Sequence, residues 1–161
     1  CERTADETFA DPNTSISYAD GFPLLVVAQS SIDFINKQCQ HSSVSAVNFR
    51  PNVVIKNTAA FAENNWQALA TSTLTMKVVK PCQRCVIPTI NPETAQQQKD
   101  ILAALVKFCR RDQKIFFGQN LTFNVLENNA HGVLNNAEET ARMVLEIGQG
   151  VAITLAGEGE L

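Results

Sequence analysis

Two thiols and a guanidinium fall within four positions in Lys80-Pro81-Cys82-Gln83-Arg84-Cys85-Val86-Ile87-Pro88-Thr89. A thiolate is a soft ligand suited to zinc, copper or a heavier redox metal. An adjacent arginine favours that thiolate and also holds phosphate. A single C-x-x-C also arises by chance, and structural or incidental cysteines account for the pair equally well. Zinc would need four ligands, and this pair has no counterpart; His41 and His131 stand isolated. A thioredoxin-type pair sits between a strand and a helix N-terminus, whereas Pro88 and the Asn91-Pro92 break intervene here. Cysteine-protease chemistry would require a histidine beside Cys85, which spacing alone does not supply. Neither a G-x-x-x-x-G-K-[ST] nor a G-x-G-x-x-G run is present.

The remaining polar groups divide in the same way. Arg50-Pro51-Asn52 places a cation and an amide beside a proline-fixed backbone, an arrangement that binds an anion or simply turns at the surface. The residues alone favour the turn. Lys107, Arg110 and Arg111 fall in or just after the last turn of a predicted helix, where the macrodipole favours positive charge. Cys39 reads as a small buried hydrophobe and His131 as solvent-exposed.

The elements that must position these groups come from a 161-residue chain, one domain long, with 45% hydrophobic and 18% charged residues. A net charge of −3 and a pI near 5.4 exclude bulk attraction to nucleic acid or an anionic membrane, so an anion site must be local. The longest apolar run, Leu24 to Ala28, is far short of the ~20 residues of a bilayer span. Five cysteines at irregular spacing argue against a disulfide framework and for a reducing, cytoplasmic setting. Residues 1–17 read as a linker or extended segment, 18–157 as the domain and 158–161 as a tail. The opening on Cys1 and the polar run behind it are expected of a fragment of a longer protein.

Tyr18 to Pro23 is turn chemistry leading into a buried strand, Pro23 to Ala28. Ser30 and Ser31 are predicted N-caps of a helix whose inner face carries Ile32, Ile35 and Cys39, with Phe34 flanking it. Residues 44–49 and 51–55 read as extended, and Phe61 to Trp66 as a loop anchored by two aromatics. Thr71 to Val79 alternates as a strand that delivers the chain to a cysteine-bearing turn. Thr94 is a predicted cap for a helix from about Ala95 to Arg110. Phe116 to Asn120 is a predicted turn, then a strand follows with Leu121, Phe123 and Val125. Asn128 to Asn136 reads as loop, 138–146 as a short helix or insertion, and 151–155 as a final strand. Strands without regularly alternating helices predict a β-rich, barrel-like α+β domain and not a Rossmann sheet.

Four motifs occur in register: Phe49-Arg50-Pro51-Asn52-Val53-Val54-Ile55, Glu63-Asn64-Asn65-Trp66, Cys82-Gln83-Arg84-Cys85 running to Thr89-Ile90-Asn91-Pro92-Glu93-Thr94, and Phe117-Gly118-Gln119-Asn120. Together they resemble a MOSC domain, the C-terminal domain of molybdenum cofactor sulfurases. The resemblance is nearest to the bacterial YcbX type and the mitochondrial amidoxime-reducing type, and covers about residues 18–155. It implies a β-rich MOSC fold that binds the molybdopterin form of the molybdenum cofactor. By motif position Cys85 matches the family's molybdenum ligand and Cys82 its non-ligating neighbour. Arg50, Asn52, Gln83 and Arg84, with Asp20 and Asn120, match positions that hold the pterin and its phosphate.

The implied activity is an oxidoreductase acting on N-hydroxylated substrates. Its implied partners are an N-terminal MOSC barrel domain and an iron–sulfur or other electron donor. A sulfur-carrier module bearing a persulfide on Cys85, or a cofactor-binding module inactive alone, are the other readings. Asn64 stands where relatives often carry aspartate, Gln149 where the closing turn usually has its acid, and residues 128–142 lengthen the link between the last strands.

Overall fold

The structure, a computed structural model, describes residues 3–4, 15–16, 21–72, 74–125 and 148–155. Two short strands, β1 (Arg3–Thr4) and β2 (Ser15–Ile16), pair antiparallel within the segment expected to be a linker. Leu24–Ala28 forms β3, as its apolar run predicts. α1 (Gln29–Gln38) follows it directly. The caps expected at Ser30 and Ser31 do not form, because Ser31 is buried and its hydroxyl is used elsewhere. It accepts from the Phe61 amide at 2.8 Å and donates to Glu63 Oε2 at 2.9 Å, tying the helix start to the 3-10 turn Ala62–Asn65.

Residues 46–49 are helical, not extended. Ser45 and Asn48 close a reciprocal capping box on α2 (Ala46–Phe49), and this local pairing outweighs the strand preference of Val47. The helix stops at Arg50, whose φ of 53° is left-handed. β4 (Val53–Ile55) then runs parallel to β3, with Val26 opposite Val53. This is the sheet's one parallel pair among the described residues.

The rest of the sheet is antiparallel: β5 (Trp66–Ala70), β6 (Leu74–Arg84), β7 (Arg110–Arg111), β8 (Lys114–Val125) and β9 (Ala152–Leu155). The seven strands run β4-β3-β8-β6-β5-β9, with β7 also pairing β8, and the sheet curls into a half-barrel. α3 (Lys99–Cys109) packs on it through Ile101, Ala104, Leu105 and Cys109, one face at helical spacing. It begins later than predicted and without the Thr94 cap. Asn91 Oδ1 instead accepts from the Glu93 and Thr94 amides, folding residues 91–98 into a closed loop.

Hydrophobic clusters fill both faces of the sheet. Val27 joins the helices on one side, together with Phe49, Ile101 and Phe117. Val26 joins Trp66, Leu69, Met76 and Leu121 on the other. Phe117 and Leu121 are four residues apart on one strand, yet they belong to opposite faces. The side-chain period of a strand is two, so β8 must slip by one residue between them.

Gly118 is that slip. Its φ is +81°, and a Cβ there would lie 2.8 Å from both Val26 O and Val27 Cγ2. Phe116 to Asn120, predicted as a turn, is therefore a kink inside a continuous strand. Gly118→Ala is expected to destabilise the fold by about 2–4 kcal/mol, from left-handed strain plus overpacking, read as a lower urea midpoint.

Glu63, 1% exposed, carries the one buried carboxyl among the described residues. Ser31 donates to it, and the Ala28 amide donates at 3.4 Å. Burial pushes its pKa up, while its own backbone, Ser31 and Ala28 pull it partly back. The folded state thus holds this proton more tightly than the unfolded state does. The resulting stability is complete below the ordinary carboxyl value and is lost as pH rises through the elevated one. Denaturant titrations between pH 4 and 8 should show that decline in the wild type, and Glu63→Gln should flatten it.

Candidate functional site

β6 does not end before the cysteines but runs through Cys82 to Arg84. Pro81 pairs with Gln119, Gln83 with Phe116 and Arg84 with Ile115, and the ladder shifts register on either side of Pro81. A proline has no N–H to give the ladder, so an irregularity is expected there. Cys82 occupies the shifted position and is half-buried. The chain leaves the sheet at Cys85, which is exposed. The predicted cysteine turn is thus the end of a strand.

Immediately after Cys85 the backbone is fixed. The 3-10 turn Ile87–Thr89 is closed by Thr89, fully buried, whose hydroxyl and amide both donate to Val86 O at 2.7 and 2.9 Å. The Gln98 amide donates to Thr89 O at 2.7 Å, and Asn48 Nδ2 reaches Pro88 O at 3.3 Å. Cys85 is exposed on an anchored base.

Arg84 organises the surroundings. Its Nη2 donates to Phe49 O at 2.6 Å, its Nη1 donates to Cys82 Sγ at 3.1 Å, and its guanidinium lies 5.6 Å from the Phe49 ring centroid. Phe49 O is the carbonyl bonded to the nitrogen of Arg50. One guanidinium therefore joins the last strand residue before Cys85, the sulfur of Cys82 and the peptide that leads into Arg50. Gln83 is exposed and, by strand alternation, lies on the face opposite Arg84. The structure does not bring those two side chains together.

A second row crosses the sheet beside this group. The Asn52 amide donates to Leu25 O at 2.9 Å, and Asn52 Oδ1 accepts from Leu25 N at 2.8 Å. Leu25 pairs with Asn120, and Asn120 pairs with Lys80 and donates from Nδ2 to Pro81 O at 3.5 Å. Leu25 packs on the helix side, so its partner Asn120 lies on the face that carries Arg84 and Phe49. The slip at Gly118 makes this possible, and it also sends Gln119 inward, where Nε2 donates to Asn64 Oδ1 at 3.0 Å. An asparagine oxygen serves as the acceptor there.

Asn52 thus has a positioning role: its oxygen is used within the fold. Lys80 belongs to the group and was missed; it stands in register with Asn120, its ammonium 4.8 Å from the Phe22 ring centroid. Its place directly before Pro81-Cys82 was the available signal. Asp20, Cys1, His131, residues 128–142, the segment 138–146 and the tail 158–161 lie outside the described residues. Gln149 donates to Ser72 Oγ at 3.5 Å.

The cysteines separate chemically. Burial, with the nearby charge of Glu63, pushes Cys109 up to about 12 against the weaker pull of Arg111. Cys39 is raised by burial and by Asp100, and its Sγ donates to Ile35 O at 3.3 Å. Both act as packing groups. Among the described residues no three histidine, cysteine or carboxylate side chains gather as a metal site. Cys85 could therefore contribute one ligand to a metal that brings its other ligands with it.

The profile of the MOSC domain family matches residues 13–150. The chain belongs to the MOSC domain family. It is 32% identical over 123 residues to mitochondrial amidoxime-reducing component 1 of Homo sapiens, covering 73% of this chain and 36% of that protein. Bos taurus mitochondrial amidoxime reducing component 2 is 28% identical over 128 residues, covering 76% of this chain and 38% of that protein. The molybdenum cofactor sulfurase of Oryza sativa subsp. japonica is 27% identical over 157 residues, covering 91% and 18%. This MOSC chain therefore spans little more than a third of the length of the amidoxime-reducing relatives. No helix among its described residues is long and apolar enough to cross a membrane.

Native-state alkylation followed by mass spectrometry checks the thiol assignment. Cys85 should label first, Cys82 more slowly, and Cys109 only on unfolding. Labelling of Cys109 at the rate of Cys85 would contradict it.

Proposed function

We propose that this MOSC domain holds the molybdopterin form of the molybdenum cofactor, with Cys85 as the protein ligand to molybdenum, in an oxidoreductase that reduces N-hydroxylated substrates. The observation that carries the proposal is the division between the two thiols. Cys82 is engaged by Arg84, whereas Cys85 is exposed beyond the strand end on a braced turn.

The donor set fits the cofactor. A soft sulfur suits the metal, and cations around it suit a phosphorylated pterin. Arg84 uses one N–H on Phe49 and one on Cys82, which leaves the rest of its five donors for phosphate. Arg50 lies one peptide away. Asn120 and the amide donors of Asn52 supply the paired donor and acceptor chemistry that reads pterin edges, with Asp20 a further candidate, whereas Gln83 faces away from this group. When bound, the cofactor supplies a two-electron redox centre with an open metal face. Reduction of an N-hydroxyl group to the amine takes up two electrons and two protons and releases water, so an electron donor is required. We assign that role to an iron–sulfur or other carrier, and completion of the pocket to an N-terminal MOSC barrel domain. The domain alone is expected to fold without turning over.

The free thiols of all four described cysteines favour a reducing compartment. Cytoplasm satisfies this, and so does the mitochondrial setting named for the relatives.

Exposure of Cys85, and the match of 91% of the chain to a protein named molybdenum cofactor sulfurase, favour a second reading in which Cys85 carries a persulfide. Metal analysis of the full-length protein separates the two. Cys85→Ser should lose molybdenum while Cys82→Ser retains most of it. Equal loss in both variants, or sulfane-sulfur labelling of Cys85 in a protein without molybdenum, would count against the first reading.

A further inference from the structure

Large apolar side chains exposed singly are ordinary, whereas neighbouring ones on a fixed base mark a contact surface. Val47, Ile87 and Val86 are 69%, 55% and 47% exposed, more than any other large apolar side chain among the described residues. Two of the three follow Cys85 directly in the chain. The third sits on α2, which packs beside the 3-10 turn Ile87–Thr89 and is tied to it where Asn48 Nδ2 donates to Pro88 O. The most exposed apolar groups are thus gathered beside the exposed thiol.

The backbone of this turn is occupied within the fold. Val86 O accepts from Thr89, Ile87 O from the Ile90 amide at 3.0 Å, Pro88 O from Asn48 and Thr89 O from the Gln98 amide. Pro88 has no N–H, and the amides of Thr89 and Ile90 are used in the same turn. Pro88 and Thr89 are buried beneath it, while Val86 and Ile87 face outward. A ligand arriving there meets hydrocarbon on a braced base. The Cα atoms of Cys85 and Val86 are about 3.8 Å apart across a trans peptide, so a molecule held at the Cys85 sulfur is within reach of these side chains.

We propose that Val86 and Ile87, flanked by Val47, are specificity-determining residues that hold an apolar body of the N-hydroxylated substrate beside Cys85, an assignment that rests on the cofactor reading above. Three aliphatic side chains cover far less than the roughly 600–1,500 Å² of an interface between domains. They match a single ring or a short alkyl chain. A charged or strongly hydrogen-bonding body would give up its water here and find every carbonyl of residues 86–89 already engaged. The subsite therefore selects by hydrocarbon and leaves recognition of the N–OH group to other residues.

The test labels Cys85 with N-methyl, N-butyl and N-hexyl maleimides in the full-length protein produced without molybdate, each rate corrected by that of the same reagent with glutathione. Labelling should quicken about tenfold or more from the methyl to the hexyl reagent. Ile87→Ser and Val86→Thr should flatten that gradient, keep the N-methyl rate and retain molybdenum when the protein is loaded. In the loaded protein Ile87→Ser should raise KM for octanohydroxamic acid several-fold more than for acetohydroxamic acid. A wild-type gradient in a protein that never takes up molybdenum sinks the cofactor reading and leaves the apolar subsite standing. No gradient in the wild type, an unchanged gradient in both variants, or equal KM effects on the two hydroxamic acids overturns the proposal. Uniformly slow labelling by all three reagents, the mark of a flanking domain seated on the patch, overturns it as well.

Discussion

One guanidinium holds the site together. Arg84 bridges the carbonyl that ends α2 and the sulfur of Cys82, so a helix terminus, a strand end and a thiol share a single fixed group. Charge-assisted bonds of this kind contribute roughly 1.5–3 kcal/mol each. Their direction matters more than their strength. They set the relative placement of Arg50 and the cysteine pair, which arrive from opposite ends of a 35-residue stretch of chain. A lysine could make one of these contacts but not both, because it lacks the planar fork.

The second constraint is the one-residue slip at Gly118. It lets one strand serve both hydrophobic clusters, with Phe117 on the helix side and Leu121 on the opposite face. The same slip turns Asn120 toward the site face and buries Gln119 against Asn64. A strand of regular alternation would exchange these two side chains. The left-handed backbone that Gly118 permits is thus coupled to the placement of a polar group that MOSC resemblance assigns to cofactor contact. The buried Glu63–Ser31–Phe61 network steadies the neighbouring 3-10 turn from which Asn64 projects.

Much of the fold was legible in the sequence. The apolar run of β3, the alternation of β6 and the inward stripe of α3 are periodic signals that tertiary contacts reinforce. What was not legible depended on competition between local and distant partners. Val44 to Phe49 has strand-like composition, but the Ser45–Asn48 box makes part of it helical. Ser31 has the residue type of a cap, yet Glu63, 32 positions away, claims its hydroxyl. Phe116 to Asn120 has turn composition around a glycine that is a kink. At the site, Arg84 is bonded to the carbonyl that precedes Arg50, while Gln83 faces away from Arg84. The oxygen of Asn52 serves the sheet, a use that residue type alone does not reveal. Lys80 entered only when register placed it opposite Asn120.

The most direct measurement of the central claim is a crystal structure of the full-length protein with an anomalous difference map at the molybdenum edge. The account predicts a peak within bonding distance of Cys85 Sγ, with Cys82 Sγ still held by Arg84 and the pterin phosphate among the cations of the α2 terminus. A peak bonded to Cys82, or a metal distant from both sulfurs, would contradict it.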